Sequence, residues 1–155
     1  MIEVTTLQPD DRGAWDMLAR GYKIFYETAL PDASYDATWQ RLMRGDTLYG
    51  FGARLDGKLV GIAHYLFHAN VWTDDICYLQ DLFVDTAARG RGLARALIER
   101  VAQAARARGA PKLYWQTKQD NAGACALYDK VARFNGFIRY DFELTEPAAS
   151  KAARR

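Results

Sequence analysis

The sequence is poor in the residues that staple a fold, hold a metal or enter a membrane. Its 155 residues include two cysteines, Cys77 and Cys125, and two histidines, His64 and His68. Two cysteines in a chain long enough to bury a full core do not form a disulfide framework, and they point to a reducing cytoplasm. His64 and His68 lie on one strand-like run near Asp74 and Asp75. That spacing is not a standard ligand set, so no metal is expected. Neither cysteine has a persuasive histidine partner in sequence, and both read as ordinary buried thiols. No apolar run approaches the roughly 18 residues of a membrane span. The opening MIEVTTLQPDD lacks the basic start and apolar stretch of a secretory leader. A net charge of +2 gives little bulk attraction to nucleic acid or to an anionic membrane. Repeats and linker-like stretches are absent too. The expectation is one domain over residues 1–145 and a small polar tail, 146–155, that frays.

What is present is a clear alternation of elements. IEVTTL alternates like a strand. The run PDDRGAWDMLARGYKIFYETAL opens on a helix-start signal and places Trp15, Leu18, Ala19 and Tyr22 at helical spacing. SYDATWQRLMRG reads as another helix, stopped by Gly45. TLYGFGARL and LVGIAHYLFHA flank Asp-Gly-Lys, a strong hairpin signal, and DICYLQDLFVD follows as a third strand. From Gly92 to Arg108 the period becomes helical, with Leu93, Leu97 and Val101 on one face. KLYWQT is a strand, NAGACALYDKVARFN a helix with Asn121 as N-cap, and FIRYDFEL a closing strand after Gly136. The expected fold is α/β (α+β): a mixed, mostly antiparallel sheet of 6–7 strands with about four helices. The crossover from LQDLFVD through the arginine-rich helix to KLYWQT is expected to be right-handed.

The seam between strand and helix, Gln80 to Ile98, carries the chemistry. Glycines at a strand-to-helix turn let main chain approach a ligand closely. The first helical N–H groups lack internal partners and sit at the positive end of the helix dipole, so together they form an anion site suited to phosphate. Arg89 and Arg91 would add field. A tight turn followed by a solvated arginine face is the competing account. Gly90-Arg91-Gly92-Leu93-Ala94-Arg95 lacks the third glycine of a dinucleotide fingerprint, and no P-loop lysine follows. Within the preceding strand, Gln80 and Asp81 are polar residues in an otherwise apolar run.

Arg89-Gly90-Arg91-Gly92-Leu93-Ala94 resembles the R/Q-x-x-G-x-G/A signature of the GNAT superfamily of acetyl-CoA-dependent N-acetyltransferases. LQDLFVD precedes it at the family's spacing. Downstream, YWQT, Asn121, ALYDKV and GFIRY look like the subgroup that includes histone, polyamine and D-amino-acid acetyltransferases. The resemblance is sharp over residues 76–142 and architectural before them. It implies a splayed parallel pair of strands, with the backbone of Leu82, Phe83 and Val84 pairing with the pantetheine arm. It places the pyrophosphate on amides from Gly90 to Arg95, with Arg89, Leu93 and Ala94 in the same cradle, and Asn121 on the cofactor arm. It makes Tyr128, two helical turns beyond Asn121, the proton donor to departing CoA; a buried core tyrosine is the alternative. Asp81 is the candidate base or handle for a cationic acceptor, an ion pair or a bulge being the alternatives, with Gln80 beside it. Phe25, Tyr26 and Glu27 are candidates for the acceptor pocket; Tyr35 and Trp39 also mix into that aromatic set, with core residues under a helical hairpin as the alternative, favoured for Trp39 and Phe25.

By resemblance the reaction is direct attack of a primary amine, from a small molecule or a peptide lysine, on the acetyl-CoA thioester. The protein would be cytoplasmic, without nucleic-acid or membrane partners, and a homodimer is possible. A non-catalytic CoA-sensing module is the alternative, and an arginine-faced nucleic-acid binder is a third.

Overall fold

The computed structural model describes residues 1–145; the expected frayed tail, 146–155, lies outside the described residues. Five strands form one sheet in the order β1 (Ile2–Thr6), β2 (Tyr49–Leu55), β3 (Lys58–His68), β4 (Ile76–Val84) and β5 (Leu113–Tyr114). The first three pairings are antiparallel and β4–β5 is parallel. Asp56 and Gly57 both take positive φ, 50° and 84°, which is the backbone a two-residue hairpin turn between twisted strands requires.

Helices cover both faces. α1 (Arg12–Phe25) and α2 (Asp32–Arg44) join β1 to β2, α3 (Leu93–Ala107) crosses from β4 to β5, and α4 (Ala122–Val131) follows β5. Leu93, Leu97 and Val101 of α3 are fully buried against Phe51, Ala63, Leu79 and Val84 of the sheet. Burying a side chain of this kind contributes about 1.5–3 kcal/mol. On the opposite face Trp15, Leu18 and Ala19 of α1 pack with Tyr35, Trp39 and Leu42 of α2 over Leu59 and Ile62. Gly45 ends α2 in the left-handed conformation (φ 62°), as expected of a helix-terminating glycine.

Asp11 fixes the entry to α1. Both its oxygens accept from Arg54 Nη2 of β2, at 2.7 and 2.8 Å, and Oδ2 also accepts from the Gln8 N–H at 2.8 Å. Both side chains of the pair are largely buried.

The sheet is smaller than the sequence pattern predicts, five strands instead of 6–7. KLYWQT contributes only Leu113 and Tyr114, and FIRYDFEL is not a strand. The reason is the lack of a partner. Parallel pairing ends after Cys77–Leu113 and Tyr78–Tyr114, so the chain beyond Tyr114 has no neighbour to hydrogen-bond, and β-structure cannot form one strand at a time. α4 ends at Val131 instead of continuing to Asn135. From Phe134 to Leu144 the large apolar side chains stand exposed.

Candidate active site

The site begins where two parallel strands part. β4 pairs with β3 along its whole length, from Ile76 to Val84. Its other margin is paired only at Cys77 and Tyr78. Leu82, Phe83 and Val84 therefore line an opening between β4 and α4. A main chain with one hydrogen-bonding margin left free can accept an extended ligand as though it were another strand.

The floor of that opening is the start of α3. Gly90 and Gly92 take φ of 78° and 82°. An added Cβ at either would meet nothing within 4 Å, so the backbone conformation is what calls for glycine. Gly92 is the N-cap, and no side chain caps the end. The first main-chain donors of the helix are thus left for an outside acceptor, in the field of the helix dipole. Gly90, Gly92, Leu93, Ala94 and Arg95 all line the cavity. Arg89 lines it too, braced by its Nε donating to the Val84 carbonyl at 3.1 Å. Its guanidinium lies 5.7 Å from both the Phe25 and Phe83 rings. Arg91 does not line the cavity; its charge acts instead on Asp56.

α4 forms the far wall. Asn121 Oδ1 accepts from the Ala124 N–H at 3.4 Å, an N-cap, while Nδ2 donates to Thr117 Oγ1 at 3.4 Å. Tyr128 lies on the same face and lines the cavity with Asn121. Its ring meets Trp115 edge-on at 5.4 Å. Burial, with the nearby Tyr26 and Cys125, pushes its phenol up to about 12, so the hydroxyl keeps its proton near neutral pH. The whole cavity is about 410 Å³ and is completed on the α1 side by Tyr22, Phe25 and Tyr26.

Asp81 sits just behind this wall, and a β-bulge explains its placement. His64 pairs with Asp81 and Tyr65 with Leu79, leaving Gln80 as the extra residue of β4. The bulge sends Leu79 and Leu82 to the α3 side and turns Asp81 toward α1. Gln80 is exposed. Asp81 Oδ2 lies 2.9 Å from His64 Nδ1, and His64 Nε2 accepts from the Trp15 indole N–H at 2.9 Å. The Tyr22 phenol and the Asp81 carboxylate are close enough to shift each other's titration. Burial pushes the Asp81 carboxyl up. The hydrogen bond from His64, with Lys23 and Tyr22, outweighs it, leaving the group below the ordinary carboxylate range. Burial and the Asp81 charge in turn raise the Tyr22 phenol.

The structure thus brings Leu82, Phe83, Val84, Arg89, Gly90, Gly92, Leu93, Ala94, Arg95, Asn121, Tyr128, Phe25 and Tyr26 to one cavity. Asp81 touches it through Tyr22, whereas Arg91, Gln80 and Glu27 do not line it. Glu27 is exposed in a left-handed turn after α1 (φ 53°). Sequence reasoning missed Tyr22 as a cavity residue, His64 as the partner of Asp81 and Trp15 as the partner of His64. Tyr22 sits one helical turn before Tyr26, a spacing that would have shown it. Gly21 was missed as well: a Cβ there would stand 3.2 Å from the Phe83 ring, so its absence lets α1 approach β4 closely. Among the described residues no cluster of three or more potential metal ligands occurs, and no helix is long and apolar enough to cross a membrane.

A splayed parallel pair beside an uncapped, glycine-entered helix defines a class of enzyme that lays a phosphate-bearing carrier along a sheet margin. The comparisons with known proteins give the family. The acetyltransferase (GNAT) family model matches residues 15–134. The D-amino-acid N-acetyltransferase HPA3 of Saccharomyces cerevisiae (strain ATCC 204508 / S288c) is 36% identical over 84% of each chain. A thialysine N-epsilon-acetyltransferase of Caenorhabditis elegans is 31% identical over 57% of this chain and 55% of its own. Among solved structures, the aminoglycoside acetyltransferase AAC(6')-Iy, bound to a CoA bisubstrate analogue, superposes with a TM-score of 0.83 at 19% identity, covering 94% of this chain and 99% of that one. At that identity the likeness establishes the fold. The chain belongs to the GNAT acetyltransferase family and is an acetyl-CoA-dependent N-acetyltransferase. An enzyme, and not a non-catalytic sensing module, is what these relatives favour.

Proposed function

We propose that residues 1–145 act as one domain that acetylates the primary amine of a small acceptor, an amino acid in particular, with the residues of the β4–α3–α4 cavity in the roles below. The observation that carries the assignment is a single cavity joining the free β4 margin, the uncapped start of α3, Asn121 and Tyr128. These features fit acetyl-CoA: main-chain donors at Gly92–Arg95 for the pyrophosphate, Leu82–Val84 for the pantetheine arm, and Asn121 at its flank. When bound, the carrier supplies a thioester open to nucleophilic attack.

The protein's own contribution is positional and electrostatic. With the carrier bound, an N–H near Leu82 or Phe83 would face the oxygen on which charge develops, and the Tyr128 hydroxyl would donate to the departing sulfur. Asp81 is the anion that draws in and orients the acceptor ammonium. An amine of pKa about 10.4 costs roughly 4–5 kcal/mol to deprotonate at pH 7. A carboxylate held below its usual range is a weak base for that proton, so Asp81 serves chiefly as the handle and the proton passes to solvent water.

The charge at the mouth favours an amino acid over a polycation. Lys23 Nζ stands 5.4 Å from the Tyr22 ring centroid and Lys118 Nζ 6.0 Å from that of Tyr26, and the two rings are 4.8 Å apart. Two ammonium groups there attract a carboxylate and repel a polyamine. The two relatives named for an amino-acid acceptor support the same choice. Phe134, Phe137, Ile138, Tyr140, Phe142 and Leu144, exposed beside the open margin of β5, support a homodimer that covers them. Two unpaired cysteines fit a cytoplasmic location.

A CoA-thiol release screen over amino acids of both hands, polyamines, aminoglycosides and basic peptides tests the acceptor. Release with amino acids that weakens when Lys23 and Lys118 are replaced by glutamate is the expected result. Equal or better turnover of polyamines, unaffected by those changes, would refute the acceptor assignment.

A further inference from the structure

On the basis that Asp81 anchors the acceptor ammonium, we propose that His64, held in one tautomer by the Trp15 indole, is a positioning residue that aims the Asp81 carboxylate at the acceptor. The indole N–H can only donate. At 2.9 Å from His64 Nε2 it obliges that nitrogen to accept. The ring proton therefore sits on Nδ1, which lies 2.9 Å from Asp81 Oδ2 and donates to it. Donors run in one direction, from Trp15 through His64 to Asp81. A proton on Nε2 would set one N–H against another, and a ring flip would put carbon atoms where the two nitrogens now bond.

The rest of the fold makes this chain of bonds rigid. Trp15 is 1% exposed. Its ring lies 5.0 Å from Trp39 and 6.5 Å, edge-on, from Tyr35, so the indole cannot swing away. His64 and Asp81 are cross-strand partners next to the bulge, and their side chains are 13% and 20% exposed. The charged and titratable groups facing the dyad from α1 are Tyr22 and Lys23; Trp15, on the same helix, carries no charge. Of these Tyr22 also lines the cavity, so the carboxylate is pinned from the core side and lies one side chain behind the cavity wall. A carboxylate free to rotate would lose the direction that the bulge gives it. A misplacement of about 1 Å at a reacting group costs up to about 100-fold in rate.

The test pairs spectroscopy with kinetics. In 15N-histidine-labelled protein, the two histidines give two ring-nitrogen pairs, assigned by comparison with His68→Gln. The expected His64 pattern is a protonated Nδ1 and an unprotonated Nε2; the opposite pattern overturns the proposal. His64→Ala is expected to raise the acceptor KM by about 10- to 100-fold with CoA affinity unchanged. His64→Asn, whose amide N–H can replace Nδ1–H, is expected to recover a good part of that loss. An acceptor KM equal to that of the unaltered protein in folded His64→Ala overturns the proposal, as does an equal loss in His64→Asn. If His64→Ala fails to fold, the tautomer in the unaltered chain and the acceptor KM of Trp15→Phe decide in the same way. Asp81→Asn separates the two claims. Undiminished turnover in Asp81→Asn refutes the anchor role itself. Loss there with none in His64→Ala overturns only the positioning role.

Discussion

Replacing Tyr128 with phenylalanine keeps the ring against Trp115 and removes only the hydroxyl, so the change reports on chemistry more than on packing. The phenol is pushed up to about 12, and a thiol leaves with a pKa of about 8.5. Full proton transfer from phenol to thiolate would then run uphill by about 3.5 pKa units, or about 5 kcal/mol. A hydrogen bond to the departing thiolate carries no such penalty and is worth about 1.5–3 kcal/mol to a charged acceptor. The expected loss in kcat/KM for Tyr128→Phe is therefore roughly 10- to 150-fold. It should be level from pH 6 to pH 9, because the hydroxyl stays protonated across that range, and the affinity for CoA should not change. CoA-thiol release under saturating acetyl-CoA measures it directly. Undiminished turnover would mean that the hydroxyl never meets the sulfur. A loss above about 1000-fold, inside the range of general acid catalysis, would refute the hydrogen-bond account in favour of full transfer.

Gly92→Ala should lower stability by about 1–2 kcal/mol, because its φ of 82° is costly for any residue with a Cβ. Calorimetry should show a Tm about 2–8 °C lower, together with weaker CoA binding. Asp11→Ala leaves Arg54 largely buried without its partner and should cost about 3–5 kcal/mol in urea unfolding, with the acceptor KM of the folded fraction unchanged.

What the sequence displayed well was local. The α3 stripe of Leu93, Leu97 and Val101 repeats within a few turns, and the Asp56-Gly57 turn and the Gly45 stop are single-residue signals with one backbone meaning. The glycine-entered, uncapped start of α3 was legible because positive-φ glycines before a helix are a local signal. What it hid was contact across long stretches of chain. His64 is 17 residues from Asp81 and 49 from Trp15, and no spacing rule joins them. Gln80 and Asp81 stood out as polar, yet only the register with His64 and Tyr65 shows that one is the extra residue of a bulge and the other a turned-in anion. The closing strand was misjudged for a related reason. FIRYDFEL has the alternation of a strand, but alternation describes side chains, and a strand needs a neighbour's main chain.

The free margin of β4 has a consequence for the protein between turnovers. On the side away from β3, residues 79–84 carry amide and carbonyl groups with no strand alongside, which is the template on which chains stick to one another. With the carrier placed as proposed, it would double as a guard, occupying by mass action a groove that would otherwise recruit stray polypeptide. Handling the enzyme with CoA present should keep it monodisperse for longer than stripping it bare.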